Sequence, residues 1–86
     1  MTADQAKHAF QCMLPVVYRN HSSGSIIKYS RITEMIYYFK NGRICCSVGL
    51  TDKSSCYVRT STRNIALYDK NKPLTEENYF NIKKEN

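Results

Sequence analysis

Side chains able to do covalent or metal chemistry are few in this chain of 86 residues, and they stand far apart. His8 and Cys12 lie four apart in a stretch with helical periodicity, so they share a face and could begin a metal site. A structural zinc needs two more ligands. The cysteines, Cys12, Cys45, Cys46 and Cys56, include no C-x-x-C pair, and on a strand the neighbours Cys45 and Cys46 point to opposite faces. Reduced, buried thiols are the expectation. Nucleophilic catalysis needs a base beside a thiol or hydroxyl, and His8 and His21 are the only imidazoles. Glu34 stands alone in a β-prone run, while Glu76 and Glu77 open a helix. Gly24, Gly42 and Gly49 follow no phosphate-loop pattern. The chain therefore reads as a non-enzyme with no metal and no cofactor.

What remains is a surplus of cations among aromatic rings. Lys and Arg total 13 against 7 acids, a formal net charge of +6. Residues 1–73 hold 11 basic and 4 acidic side chains, a net of +7, and residues 74–86 hold 2 and 3, a net of −1. A positive field of this kind favours polyanions, so the expected partner is nucleic acid, DNA or RNA, or a host nucleoprotein, ahead of any membrane. The candidate contact residues are Arg19, Lys28, Arg31, Tyr38, Lys40, Arg43, Arg59 and Arg63, interleaved with Tyr18, Tyr29 and Tyr57. The plainer account is that tyrosines fill half-buried sheets and cations guard strand edges. Lys40 and Arg43 are the sharpest local hint, because like charges set opposite each other cost stability and invite a role in contact.

These residues must be held by short elements. Thr2-Ala3-Asp4-Gln5 forms a capping box, and Ala6, Ala9, Phe10 and Met13 make a narrow apolar stripe on a helix limited by Pro15. The stripe is expected to cover a sheet. Val16 to Tyr18 is β-prone, Asn20 to Ser25 a loop, and Ile26 to Phe39 long enough for one bent strand or two. Asn41-Gly42 is the preferred pair of a type I′ hairpin. It pairs Lys40 with Arg43, Phe39 with Ile44, Tyr37 with Cys46, Met35 with Val48 and Thr33 with Leu50. One face then collects Phe39, Ile44, Tyr37, Cys46, Met35, Val48 and Leu50, read as core. The other carries Tyr38, Cys45, Ile36, Ser47 and Glu34, and is either half covered by the N-terminal helix or left as a contact surface.

Cys56 to Thr60 and Ile65 to Tyr68 read as the last strands. Thr75 caps a short helix with Glu76 and Glu77 in its first turn, and Leu74 and Tyr79 stand at hydrophobic-staple positions. Tyr79, Phe80 and Ile82 are expected to dock this tail. The chain thus reads as mostly β (α+β): a small antiparallel meander or SH3-like barrel with a short helix at each end, a helix on an open sheet being the alternative. Residues 1–73 form one small β domain and residues 74–86 a helical tail. With no apolar stretch near the roughly 20 residues of a membrane span and no signal-peptide core, the expected location is the cytoplasm.

The stretches Thr2-Ala3-x-Gln5-Ala6-Lys7-x-Ala9-Phe10, Pro15-Val16-Val17, Tyr29-x-Arg31-Ile32 with Ile36-Tyr37, and Leu50-x-Asp52-Lys53 together resemble small uncharacterised proteins. These are carried on phages and conjugative elements of gut Gram-positive bacteria. The resemblance spans residues 2–68, with a longer loop at Asn20 to Ser25 and a divergent tail. It implies a mobile-element accessory role, either DNA binding or, as the alternative, protein-binding inhibition of a host defence nuclease of the anti-CRISPR type. Inhibitors that mimic DNA are typically acidic, so a basic chain would act by covering a protein or guide-RNA surface.

Overall fold

The computed structural model of the chain describes residues 1–20 and 22–80. Its elements in order are α1 (Ala3–Gln11), β1 (Val16–Arg19), β2 (Ile26–Tyr29), β3 (Ile32–Lys40), β4 (Arg43–Thr51), β5 (Tyr57–Ser61), a 3-10 turn (Thr62–Asn64), β6 (Ile65–Leu67) and α2 (Glu76–Tyr79). The architecture is mostly β, with two three-stranded antiparallel sheets in the orders β2-β1-β6 and β3-β4-β5. The second sheet is a simple meander. Among the described residues neither sheet closes on itself, so of the small antiparallel meander or SH3-like barrel expected from the run of short strands the structure shows the mostly β arrangement of two open antiparallel sheets with two short helices. No helix among the described residues is long and apolar enough to cross a membrane.

Helix α1 starts as its sequence requires. The Thr2 hydroxyl accepts from the Gln5 backbone N–H at 3.1 Å, and the Gln5 side-chain Oε1 accepts from the Thr2 backbone N–H at 2.8 Å. Pro15 limits its length, but no glycine marks the turn that ends it. Met13 takes a left-handed φ of 54°, the Met13 N–H donates to the Phe10 carbonyl and the Leu14 N–H to that of Ala9. This closure normally uses glycine. Ala6 and Ala9 are fully buried, but Phe10 and Met13 are exposed, so the expected four-residue stripe covers the sheet only through its two alanines.

The core lies between the sheets and beneath α1. Val16, Tyr29 and Ile65 come from the first sheet, Ile32, Val48 and Leu50 from the second, and Ala6 and Ala9 from the helix, with Met1, Leu14, Tyr18 and Met35 packed at its margin. Small helix residues bring the α1 backbone close to the strands. Fully burying a Val, Leu or Ile side chain is worth about 1.5–3 kcal/mol, so a core with so few large members tolerates little truncation.

The β3–β4 hairpin follows the predicted register from its tip inward. Asn41 (φ 52°) and Gly42 (φ 76°) both occupy the left-handed region that a type I′ turn demands, and the pairs run from Lys40–Arg43 to Met35–Val48 as expected. A bulge between Ile32 and Glu34 then shifts the register, so Leu50 faces Ile32 and not Thr33. The shift buries an isoleucine where an unbroken register would bury a hydroxyl. The Thr33 hydroxyl instead lies 3.2 Å from the Gly49 carbonyl oxygen and 3.1 Å from the Thr51 hydroxyl.

The C-terminal segment docks on the outer face of the first sheet, where Val17 is buried although it points away from the core cluster. Tyr68 receives the Lys28 ammonium 4.6 Å from its ring centre, and Phe80 receives the Arg19 guanidinium at 4.7 Å. The Tyr79 hydroxyl donates to the Asp69 carbonyl at 2.7 Å and accepts from the Asp69 N–H at 3.1 Å. Thr75 caps α2 through its hydroxyl, which accepts from the Asn78 N–H. Ile82, expected to dock alongside Tyr79 and Phe80, lies outside the described residues, as does His21.

Candidate nucleic-acid interface

Strand alternation sorts the second sheet into two faces. Its outer face carries Glu34, Ile36, Tyr38 and Lys40 from β3, Arg43, Cys45, Ser47 and Gly49 from β4, and Tyr57 and Arg59 from β5. Helix α1 packs on the opposite, core-facing side, so of the two fates open to the mixed face it takes the uncovered one. Four of the eight candidate residues meet here: Tyr38, Lys40, Arg43 and Arg59. The Arg59 guanidinium reaches across β4 to lie 5.5 Å from the Tyr38 ring centre, and Lys40 and Arg43 pair directly at the hairpin tip.

Glu34 is the acid on this face, and it is already engaged. The Tyr57 hydroxyl donates to its carboxylate at 2.5 Å. That hydrogen bond, then desolvation, then the neighbouring carboxylate charge push the Tyr57 phenol above its ordinary value. Both side chains cross β4 at Gly49, where a Cβ would come 2.5 Å from Glu34 Oε1 and 2.8 Å from Tyr57 Cε1. Among the described residues the one ion pair is Arg19–Glu76, so Lys40, Arg43 and Arg59 carry no carboxylate partner.

The other four candidates sit elsewhere. Arg19 is enclosed by the tail: Nη1 donates to Glu76 Oε2 at 2.9 Å, Nη2 to Asn64 Oδ1 at 3.4 Å, and the side chain keeps 15% exposure. Lys28 lies beneath Tyr68. Arg31, at the corner before β3, donates to the Met13 sulfur at 3.1 Å, and Arg63 is exposed on the 3-10 turn. Arg19 and Lys28 are thus engaged within the fold, on a different sheet from the outer-face group.

Sequence reasoning placed three further residues in the core that the fold leaves outside. Tyr37 is 54% exposed, Phe39 76% and Ile44 69%, all on the face that nearer the body holds Val48 and Leu50. Length explains this. The 9-residue β3 extends about 30 Å at roughly 3.3 Å per residue, whereas the 9-residue α1 spans about 13.5 Å at 1.5 Å per residue. A helix so short cannot roof a hairpin so long, and comparing the two lengths was the signal available in the sequence.

His8 and Cys12 do approach, with the thiol sulfur 3.8 Å from Nδ1, but no group of three or more His, Cys, Asp or Glu able to hold a metal ion occurs among the described residues. All four cysteines are free thiols; Cys12 and Cys56 are exposed, contrary to the expectation of buried thiols. Burial pushes the Cys46 thiol up, only partly opposed by a hydrogen bond with Tyr37. No family model, curated protein or solved structure matches the chain. Its surface chemistry therefore carries the functional reading.

Proposed function

We propose that the chain is a non-enzymatic accessory binding protein of a mobile genetic element, working in the cytoplasm and contacting nucleic acid through the outer face of the β3–β4–β5 sheet. The observation that carries this reading is the grouping of Lys40, Arg43 and Arg59 around Tyr38 on a face free of the helix and of the docked tail. Unpaired cations on a sheet neutralise phosphates, and the adjacent ring offers a stacking surface. The resemblance over residues 2–68 supports the mobile-element setting. The exposed Tyr37, Phe39 and Ile44 also favour a rival, a protein-binding inhibitor of a host defence nuclease.

Salt separates the two. If three cations contact phosphates, log K against log salt falls with a slope of about −2 for single strands, at roughly −0.7 per contact. Changing Lys40→Glu with Arg43→Glu should flatten that slope by at least about 1.4 and leave the fold intact, because both side chains are exposed. No association with DNA or RNA even at low salt rejects the proposal and leaves the inhibitor reading.

A further inference from the structure

Arg19 is the one Lys or Arg among the described residues that is not exposed, and its guanidinium is only partly satisfied. Nη1 meets Glu76 of the C-terminal segment and Nη2 meets Asn64 of the body, while Nε is buried with no hydrogen-bond partner among the described residues. A buried donor left unpaired is costly, so the docked segment fills this site imperfectly. Asn64 is itself buried, and its Nδ2–H donates to the Thr60 hydroxyl at 3.0 Å, so one partner of Arg19 is held in place by the body alone. Lys28 stands on the same outer face as a diagonal neighbour, because it pairs with Val17 and Arg19 lies two residues further along β1.

We infer that residues 75–80 are a displaceable strap over a second phosphate-binding site, with Glu76 standing where a phosphate of nucleic acid binds Arg19. This rests on the nucleic-acid reading and adds to it a covered surface on the other sheet. A phosphate offers several oxygens and can take Nε and Nη1 together, in the two-pronged geometry that suits a guanidinium, whereas Glu76 reaches Nη1 alone. The strap is lightly held. No residue of α2 is buried, Leu74 is 44% exposed, and Arg19 is gripped by one ion pair and the Phe80 ring. Segments with few buried apolar groups open locally at low cost, and the Glu76 side chain, 46% exposed, is within reach of competing anions.

The test follows the full chain by NMR while a short DNA single strand or its duplex is added at low salt. The Arg19 side-chain protons, shifted by the Phe80 ring, and the Phe80 amide, which donates to the Glu76 carbonyl at 2.8 Å, should move toward the positions they take in Glu76→Gln. In anisotropy with the same DNA, Glu76→Gln should bind about 2- to 5-fold more tightly than Glu77→Gln, which makes the same change of charge at a side chain with no ion pair among the described residues. Equal affinities of the two variants, or Arg19 and Phe80 signals that stay in place while the wild type binds, make the segment a fixed part of the fold and overturn the strap, with the nucleic-acid reading left standing. If the wild type binds neither form of DNA, both fall.

Discussion

Gly49→Ala tests whether the outer face is packed as tightly across β4 as its geometry requires. The added methyl would lie 2.5 Å from Glu34 Oε1, 2.8 Å from Tyr57 Cε1 and 2.9 Å from Glu34 Cβ. The carboxylate oxygen can swing aside, but only by breaking its hydrogen bond with the Tyr57 hydroxyl. Glu34 Cβ cannot follow, because Glu34 is the residue paired with Gly49 across the strands and its position is set by the ladder. Overpacking of this kind costs about 1–3 kcal/mol, and alanine in a strand recovers about 0.5–1 kcal/mol of backbone entropy relative to glycine. The net expectation is a loss of about 1–2 kcal/mol. In a domain of this size that lowers Tm by roughly 4–16 °C, readable by circular dichroism during heating and by a lower urea midpoint at unchanged slope. In a Glu34→Ala background the same substitution should cost less, with a coupling of at least about 0.5 kcal/mol, since one clashing oxygen and the hydrogen bond are already gone. A Gly49→Ala protein as stable as the wild type, or more so, would refute the tight crossing of Glu34 and Tyr57 over β4.

Two further outcomes concern titratable groups. The Tyr57 phenol ionises above the ordinary tyrosine range because its proton is held by Glu34; the stabilisation this gives the fold is present below the unfolded-state value and is lost as pH rises through the folded-state value. Absorbance titration of the tyrosines should show late transitions for Tyr57 and for Tyr29, the latter raised first by burial, and only that of Tyr57 should move to lower pH in Glu34→Gln; an unchanged curve would remove the hydrogen bond from the account. Among the thiols, Cys12 and Cys56 should react quickly with a disulfide reagent at neutral pH, while Cys46, raised by burial, reacts slowly. A single rate for all four cysteines would contradict this placement.

The C-terminal segment divides the cations into two populations. Arg19 and Lys28 lie against Phe80 and Tyr68, and Arg19 pairs with Glu76, whereas Lys40, Arg43 and Arg59, on an open sheet, have no carboxylate partner among the described residues. The division follows the polarity of the chain: residues 74–86, of net charge −1, contribute the acid that covers the cationic side of the first sheet. A segment with acids and rings is a suitable cover for a surface of cations and short strands.

Local signals were legible wherever a few neighbouring residues suffice. The capping box at Thr2, the type I′ turn at Asn41-Gly42 with its register to Met35–Val48, and the cap at Thr75 all follow from near-neighbour hydrogen bonding and φ preferences, and all are present. The bulge at Ile32 to Glu34, the left-handed end of α1 at Met13 and the enclosure of Arg19 were not legible. Each depends on what lies opposite in space. Alternation reports which residues share a face, but whether that face is core or surface depends on the reach of the layer above it, and a nine-residue helix ends before a nine-residue strand does.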